Sequence, residues 1–243
     1  MVLSLGMMRA MSDAPRTARA VARAELTRAI LDSATQQLAE VGPAALSVRA
    51  VARDLGMASS AVYRYFASRD DLLTALLVEA YDDLGAAVEE ADAAVTDRDD
   101  VAARWRATAG AVHDWARAHP HRYALTYGSP VPGYAAPQDT VEPATRAPRV
   151  LLQLLADALA AGRGVRDLGG RVDPAEVAAT GPISAVTEPP LPPEATVRAL
   201  AVWATLFGHV SLELFGHMNN AVLDYDTHFA TVVDLAAYDL GLA

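Results

Sequence analysis

Apolar residues recur at spacings of three and four along most of this chain, the pattern of helices that each bury one stripe. A first helix is expected over about 20–41, with Val21, Ile30, Leu31, Ala34 and Leu38 inward and Gly42-Pro43 as its stop. Two short amphipathic segments follow. Val48, Val51, Ala52 and Leu55 form the stripe of one, opened by Ser47, whose hydroxyl can cap free N–H groups. Gly56 ends it, and Ala52 is small enough for a second helix to cross close by. That second helix, about 59–65, buries Val62 and Phe66 and turns Ser59, Ser60, Ala61, Tyr63, Arg64 and Tyr65 outward. Ser68-Arg69-Asp70-Asp71 then reads as a capping box opening a long helix over about 69–93. Its Leu72, Leu73, Leu76, Leu77, Tyr81, Leu84 and Val88 allow packing on the N-terminal unit at one end and on the rest of the chain at the other.

Beyond it, a helix over about 98–118 carries Val101, Trp105, Val112 and Trp115, and His119-Pro120 is read as its end. The stretch 121–137, HRYALTYGSPVPGYAAP, sets three tyrosines among glycines and prolines. Helix is expected again over about 138–161, its first turns broken or delayed by Pro143 and Pro148. Loops are expected at 162–173 and 181–193, and helices at 194–217 and 224–240. The first of these last two is apolar on nearly every side, through Val197, Leu200, Trp203, Leu206, Phe207, Val210, Leu214 and Phe215. A helix apolar all round must be covered on opposite sides, and a second copy in a C2 dimer is the simplest cover.

The expected fold class is therefore all-α. A basic, flexible arm (1–19) leads to a three-helix unit (20–68) and then to a larger helical part (69–243). Two short helices joined by a glycine turn make a helix-turn-helix, which lays the N-terminal residues of its second helix against base edges while hydroxyls and arginines grip phosphates. Ser47, Val48, Arg49, Ser59, Ser60, Ala61, Tyr63, Arg64, Tyr65 and Arg69 are the candidate DNA contacts.

Charge divides the chain the same way. Residues 1–69 balance to +4 and residues 70–243 to −14, so only the N-terminal unit is basic although the whole chain is at −10. Phosphate attraction acts within a Debye length of roughly 8 Å, so a basic face can hold DNA while the acidic remainder points away. The arm, with Arg9, Arg16 and Arg19, reads either as a phosphate-following or minor-groove arm or as a disordered start.

The chain has no cysteine, which excludes disulfides, thiolate zinc sites and a cysteine nucleophile. Its apolar runs are read as shorter than a membrane span and its first residues as unlike an export signal, so a soluble cytoplasmic protein with no membrane partner is expected. All twenty basic residues are Arg, a bias that fits a GC-rich genome and carries no mechanism.

The N-terminal residues resemble the TetR (tetracycline repressor) family of bacterial regulators. Ser47, Arg49, Ala52, Gly56, Tyr63, Phe66 and Arg69 stand at the family's motif positions, with Arg69 where Lys is frequent and Tyr65 where His is frequent. The resemblance implies a homodimer formed through the last two helices, a near-palindromic double-stranded DNA operator, and a small molecule in the helical body that tilts the fourth helix. The body also resembles a C-terminal subgroup named for a Trp-His-Gly signature, in Trp203, Gly208 and the stretch 128–137, with Phe207 where the His should be.

Candidates to line an effector pocket are Trp105, Trp115, Tyr123, Tyr127, Trp203 and Phe207, large side chains that equally serve as ordinary core. Val210, Leu214, His217, Phe229 and Val233 are the candidates for the dimer interface. His209, Glu213 and His217 share a helix face at metal-ligand spacing, so a helical metal-dependent protein or enzyme is the alternative reading. Against that alternative, hydrogen-bonded histidines at an interface need no metal, and no cofactor is expected. The chain shows neither a nucleophile motif nor a phosphate loop, so the expected function is a ligand-released repressor and not an enzyme.

Overall fold

The computed structural model describes residues 18–163 and 172–242, and these form ten α-helices with two short 3-10 turns and no strand. Residues 1–17 of the arm expected at 1–19 lie outside the described residues, as does most of the loop expected at 162–173. Helix α1 (Ala18–Val41) takes in Arg19, and its inward residues are Ile30, Ser33, Ala34 and Leu38; Val21, expected inward, is exposed. Helix α2 (Val48–Asp54) is capped by the Ser47 hydroxyl, which accepts from the Ala50 N–H at 3.4 Å. Gly56 follows at φ 64°, a left-handed conformation natural to glycine. Helix α3 (Ser59–Val62) is one turn of helix extended by hydrogen-bonded turns to Phe66.

Helix α4 (Arg69–Ala94) starts at the Ser68 cap, whose hydroxyl accepts from Asp71 N–H at 3.0 Å, and spans both parts of the molecule. Its Leu72, Leu73 and Leu76 close the head core with Ile30, Val51, Val62 and Phe66, while Ala80, Leu84 and Val88 belong to the body core.

The body adds α5 (Val101–Ala118), α6 (Pro120–Tyr127), α7 (Val141–Ala160), α8 (Pro174–Ser184), α9 (Pro193–Leu214) and α10 (Tyr225–Leu240). Two of these were unexpected. Pro120, read as a stop, occupies the first turn of α6, where a missing N–H costs nothing. Asp173 caps α8 by accepting from Ala175 N–H at 2.7 Å, and the helix runs through Pro182.

Helix α7 lies closely on α4. A Cβ at Gly85 would meet the Arg146 Cβ at 2.6 Å, so only glycine permits this approach. Arg146 ties the pair together through Asp82 at 2.8 Å and Glu89 at 2.6 Å. A second tie is the buried Arg104 of α5, which reaches Asp92 of α4 at 2.8 Å and Asp157 of α7 at 2.9 Å. Burial alone would raise the Asp92 pKa, but the hydrogen bonds and charges of Arg104 and Arg98 outweigh it and hold the carboxyl below its ordinary value.

Helix α9 corrects the reading of the apolar runs: by length and composition alone it is apolar enough to cross a membrane, a composition that a helix packed into a helical core shares. Val202, Leu206, Phe207 and Val210 face the body core. Its other side exposes the small Ala201 and Ala204, with Gly208 half-buried beside them, ahead of the exposed Leu212 and of Phe215 just past its end. The exposed Leu235 and Tyr238 belong to α10, beside it.

Candidate nucleic-acid interface and body cavity

The helix-turn-helix is built so that its outer surface is free of structural duty at some positions and bound to it at others. Arg49, Ser60, Tyr63 and Arg64 are exposed, and among the described residues no hydrogen bond or ion pair holds their side chains; Ser59 and Ala61 are half-buried beside them. Tyr63, 44% exposed, is a large ring held in water at the end of α3, a placement that apolar burial does not account for.

Three expected contacts are placed differently. Val48 is 4% exposed and belongs to the head core, because its position in the stripe of α2 faces α1. Arg69 is committed to the protein: Nε donates to the Leu46 carbonyl at 3.0 Å, and Nη2 to those of Pro43 and Ala44 at 2.9 and 3.0 Å. It thereby pins the turn that enters α2. Tyr65 is half-buried against the head core, with the Arg23 guanidinium 4.9 Å from its ring centroid, a cation–π contact. Ser47 is half-buried and its hydroxyl serves α2 as a cap.

The body touches the head at its back. Leu125, Val131 and Tyr134 pack on the head core, and the Tyr134 and Thr74 hydroxyls lie 2.9 Å apart. Glu79 of α4 is paired with Arg28 of α1 and lies 3.7 Å from Arg122 of α6, which also pairs with Asp83.

A cavity of about 470 Å³ opens between α7, α8 and α9, within the range of small-molecule sites. Trp105 and Trp203 line it. The other four candidates do not, and their partners explain why. Tyr123 is fully buried, its hydroxyl donating to the Phe207 carbonyl at 3.0 Å and 2.8 Å from the Ser211 hydroxyl. Tyr127 and Phe207 meet with their rings tilted by 49° and centroids 4.5 Å apart, and burial pushes the Tyr127 phenol far above its ordinary pKa. Trp115 is 6% exposed and lies against His119. These rings are core. Sequence reasoning missed most of the cavity wall, including Leu152, Ile183 and Leu200, since aliphatic residues give no ligand signal of their own.

The dimer candidates divide similarly. Val210, Phe229 and Val233 are buried in their own chain, Leu214 packs on the same core, and His217 is exposed. Large apolar side chains exposed on this side are Leu212, Phe215, Leu235 and Tyr238. Because α9 is apolar all round, its pattern does not say which side a protomer keeps for itself.

The histidine set is also dispersed. Glu213 turns inward to His113, Oε2 to Nε2 2.8 Å, while His209 lies beside His228 with ring centroids 5.5 Å apart. Among the described residues no group of three or more His, Cys, Asp or Glu is placed to hold a metal ion. The reading of His209, Glu213 and His217 as a metal centre is therefore withdrawn.

A helix-turn-helix head, with a free polar and basic outer face, on a helical body with a cavity defines a DNA-binding regulator of transcription. Comparison with known proteins agrees. Residues 30–76 match the family model for bacterial regulatory proteins of the tetR family, and residues 105–236 match that for the tetracyclin repressor-like C-terminal domain. The chain is 42% identical over 204 residues to the HTH-type transcriptional regulator Mb1846 of Mycobacterium bovis, covering 80% of this chain and 83% of the relative. Among solved structures, regulatory protein SCO4313 superposes with a TM-score of 0.73 at 34% identity, over 90% of this chain and 98% of the other. A protein of unknown function from Rhodococcus sp. RHA1 follows at 0.64 and 27% identity, over 89% and 93%. The chain belongs to the TetR family of transcriptional regulators, and it is not an enzyme.

Proposed function

We propose that this regulator is a cytoplasmic repressor that binds a palindromic operator as a homodimer and leaves it when a small molecule enters the body cavity. The observation that carries the reading is a free Arg49, Ser60, Tyr63 and Arg64 surface joined, through the single helix α4, to a body with an open apolar cavity. The revised contact set is these four with Ser47, Ser59 and Ala61; Arg69 acts by fixing the turn before α2. The division between head and body falls at Ser68, where α4 is capped. Dimerisation through the exposed face of α9 and α10 is supported by its apolar residues and by Gly208, beside which a Cβ would meet nothing in its own chain. Coupling runs from the cavity wall on α7 through Arg146 and Arg104 to α4. Trp203, Gly208 and the 128–137 stretch favour the Trp-His-Gly subgroup for the body.

Selection of bound sequences from a random DNA pool, read at two salt concentrations, tests the proposal. A palindrome whose binding falls steeply with salt is expected. Absence of enrichment at both salts overturns the operator reading.

A further inference from the structure

Most guanidinium groups of the body are paired, and among the described residues three have no carboxylate partner, Arg149, Arg163 and Arg198, of which Arg149 alone lines the cavity. Arg98, Arg104, Arg106, Arg117, Arg122 and Arg146 each sit within 4 Å of a carboxylate. Arg149, one turn beyond Arg146, does not, although it stands in a part of the chain with a balance of −14. Glu89, whose carboxyl feels Arg149 at longer range, is already held by Arg146. Among the described residues the only hydrogen bond of Arg149 is from Nη2 to the Thr145 hydroxyl at 3.3 Å, and that hydroxyl donates to the Glu142 carbonyl at 2.8 Å. Arg149 is exposed and lines the cavity, and no Asp or Glu among the described residues does. Apart from two indoles and Thr145, the remaining wall is aliphatic, with Leu152, Ile183, Val186 and Leu200 among its residues.

We infer that this cavity takes an apolar monoanion, a hydrocarbon or aromatic body ending in one carboxylate, with the charged end at Arg149 on the rim and the apolar end between α7, α8 and α9. The assignment rests on the effector reading above and adds the chemistry of the effector. At interior packing density about 470 Å³ accommodates roughly fifteen non-hydrogen atoms. A guanidinium fork matches a carboxylate with two parallel hydrogen bonds. A cation would meet Arg149 as a like charge, and a sugar or nucleotide would leave hydroxyls unpaired against aliphatic walls, a cost the site has no donors or acceptors to offset.

The test uses the full chain and its own fluorescence, since Trp105 and Trp203 face the cavity. Decanoate, 1-decanol and decyltrimethylammonium are titrated at neutral pH into wild type, Arg149→Gln and Ala199→Trp, the last filling the cavity. Decanoate is expected to bind saturably and about tenfold more tightly than the other two. Arg149→Gln should remove that preference and leave 1-decanol unchanged, and Ala199→Trp should abolish both. Equal binding of decanoate and 1-decanol, or a preference that survives Arg149→Gln, overturns the anion assignment and leaves the cavity an effector site. Decanoate binding that survives Ala199→Trp places the anion elsewhere and overturns it too. If none of the three probes binds wild type, the anion assignment and the effector reading fall together.

Discussion

The head buries its central apolar residues within one chain, with Ile30, Val51, Val62 and Leu72 fully buried and Phe66 8% exposed, and leaves Val21 and Val41 at the two ends of α1 in water. The body leaves Leu212 of α9, Phe215 just after it, and Leu235 and Tyr238 of α10 between 43% and 61% exposed, and it keeps a cavity open besides. The difference is one of completeness. The head is a closed module whose helix-turn-helix surface is mostly polar, with only scattered apolar residues such as Val21 and Val41 in water, so it offers hydrogen bonds and charge without needing to be covered. The body has apolar surface in excess of what its own core consumes, and apolar surface of that kind marks an interaction site.

The sharpest way to break this contrast lies at the C-terminal end of α9, where two apolar residues five positions apart should behave oppositely. Val210→Asp puts an unpaired charge into a fully buried position and should cost more than about 4 kcal/mol, leaving no cooperative thermal transition. Phe215→Asp should keep each protomer folded, with an unchanged helical signal, while sedimentation reports a monomer. A Phe215→Asp protein that still sediments as a dimer would move the interface off this face.

On the head, Arg69→Gln removes charge-assisted bonds to three carbonyls and should cost about 2 kcal/mol in urea unfolding. Operator binding should weaken with its salt slope unchanged. Arg64→Gln should do the converse, with stability intact and the slope of log affinity against log salt reduced by about one. If Arg69→Gln changes the slope instead, its guanidinium reaches DNA and the carbonyl clasp is not its main duty.

Where α4 meets α7, Gly85→Ala should cost about 1.5 kcal/mol by overpacking against Arg146. A melting temperature equal to wild type would show that the two helices part easily. The smallest effect concerns acid. Because Asp92 is held below its ordinary pKa, its stabilising contribution is complete above the unfolded-state value near ~3.9 and is lost as pH falls through the lower folded value. Below pH ~4 wild type should therefore lose stability more steeply than Asp92→Asn, by at most about 1.4 kcal/mol per pH unit; equal slopes in thermal melts would remove Asp92 from the acid response.

How far such features are legible in the sequence follows from what makes them. Helices α1 to α5, α9 and α10 were readable because caps, stops and an apolar stripe agree, as at Ser47, Gly56 and Ser68. Helix α6 was hidden because Pro120 is as good a first residue as a last one, and α8 because its own Gly181 and Pro182 suggest a loop. The head's contact surface was mostly legible, since small polar residues with no core role stand out against a buried stripe. Arg69 was not: an arginine beside a helix start looks the same whether it faces phosphate or three carbonyls of its own chain. The cavity was least legible, being made of ordinary Leu, Ile, Val and Pro whose distinction lies only in what fails to touch them.

One carboxylate remains to be seen as a mechanical part. Glu79 stands between Arg28 of the head and Arg122 of α6, and Tyr134 reaches Thr74 close by. Such a joint is a rivet rather than a hinge: parting α1 from α6 would break what Arg28 and Arg122 each make with Glu79 and leave Arg28 to Asp32 and Arg122 to Asp83 alone. A motion that re-aims the head then carries α6 along at less cost than one that separates them.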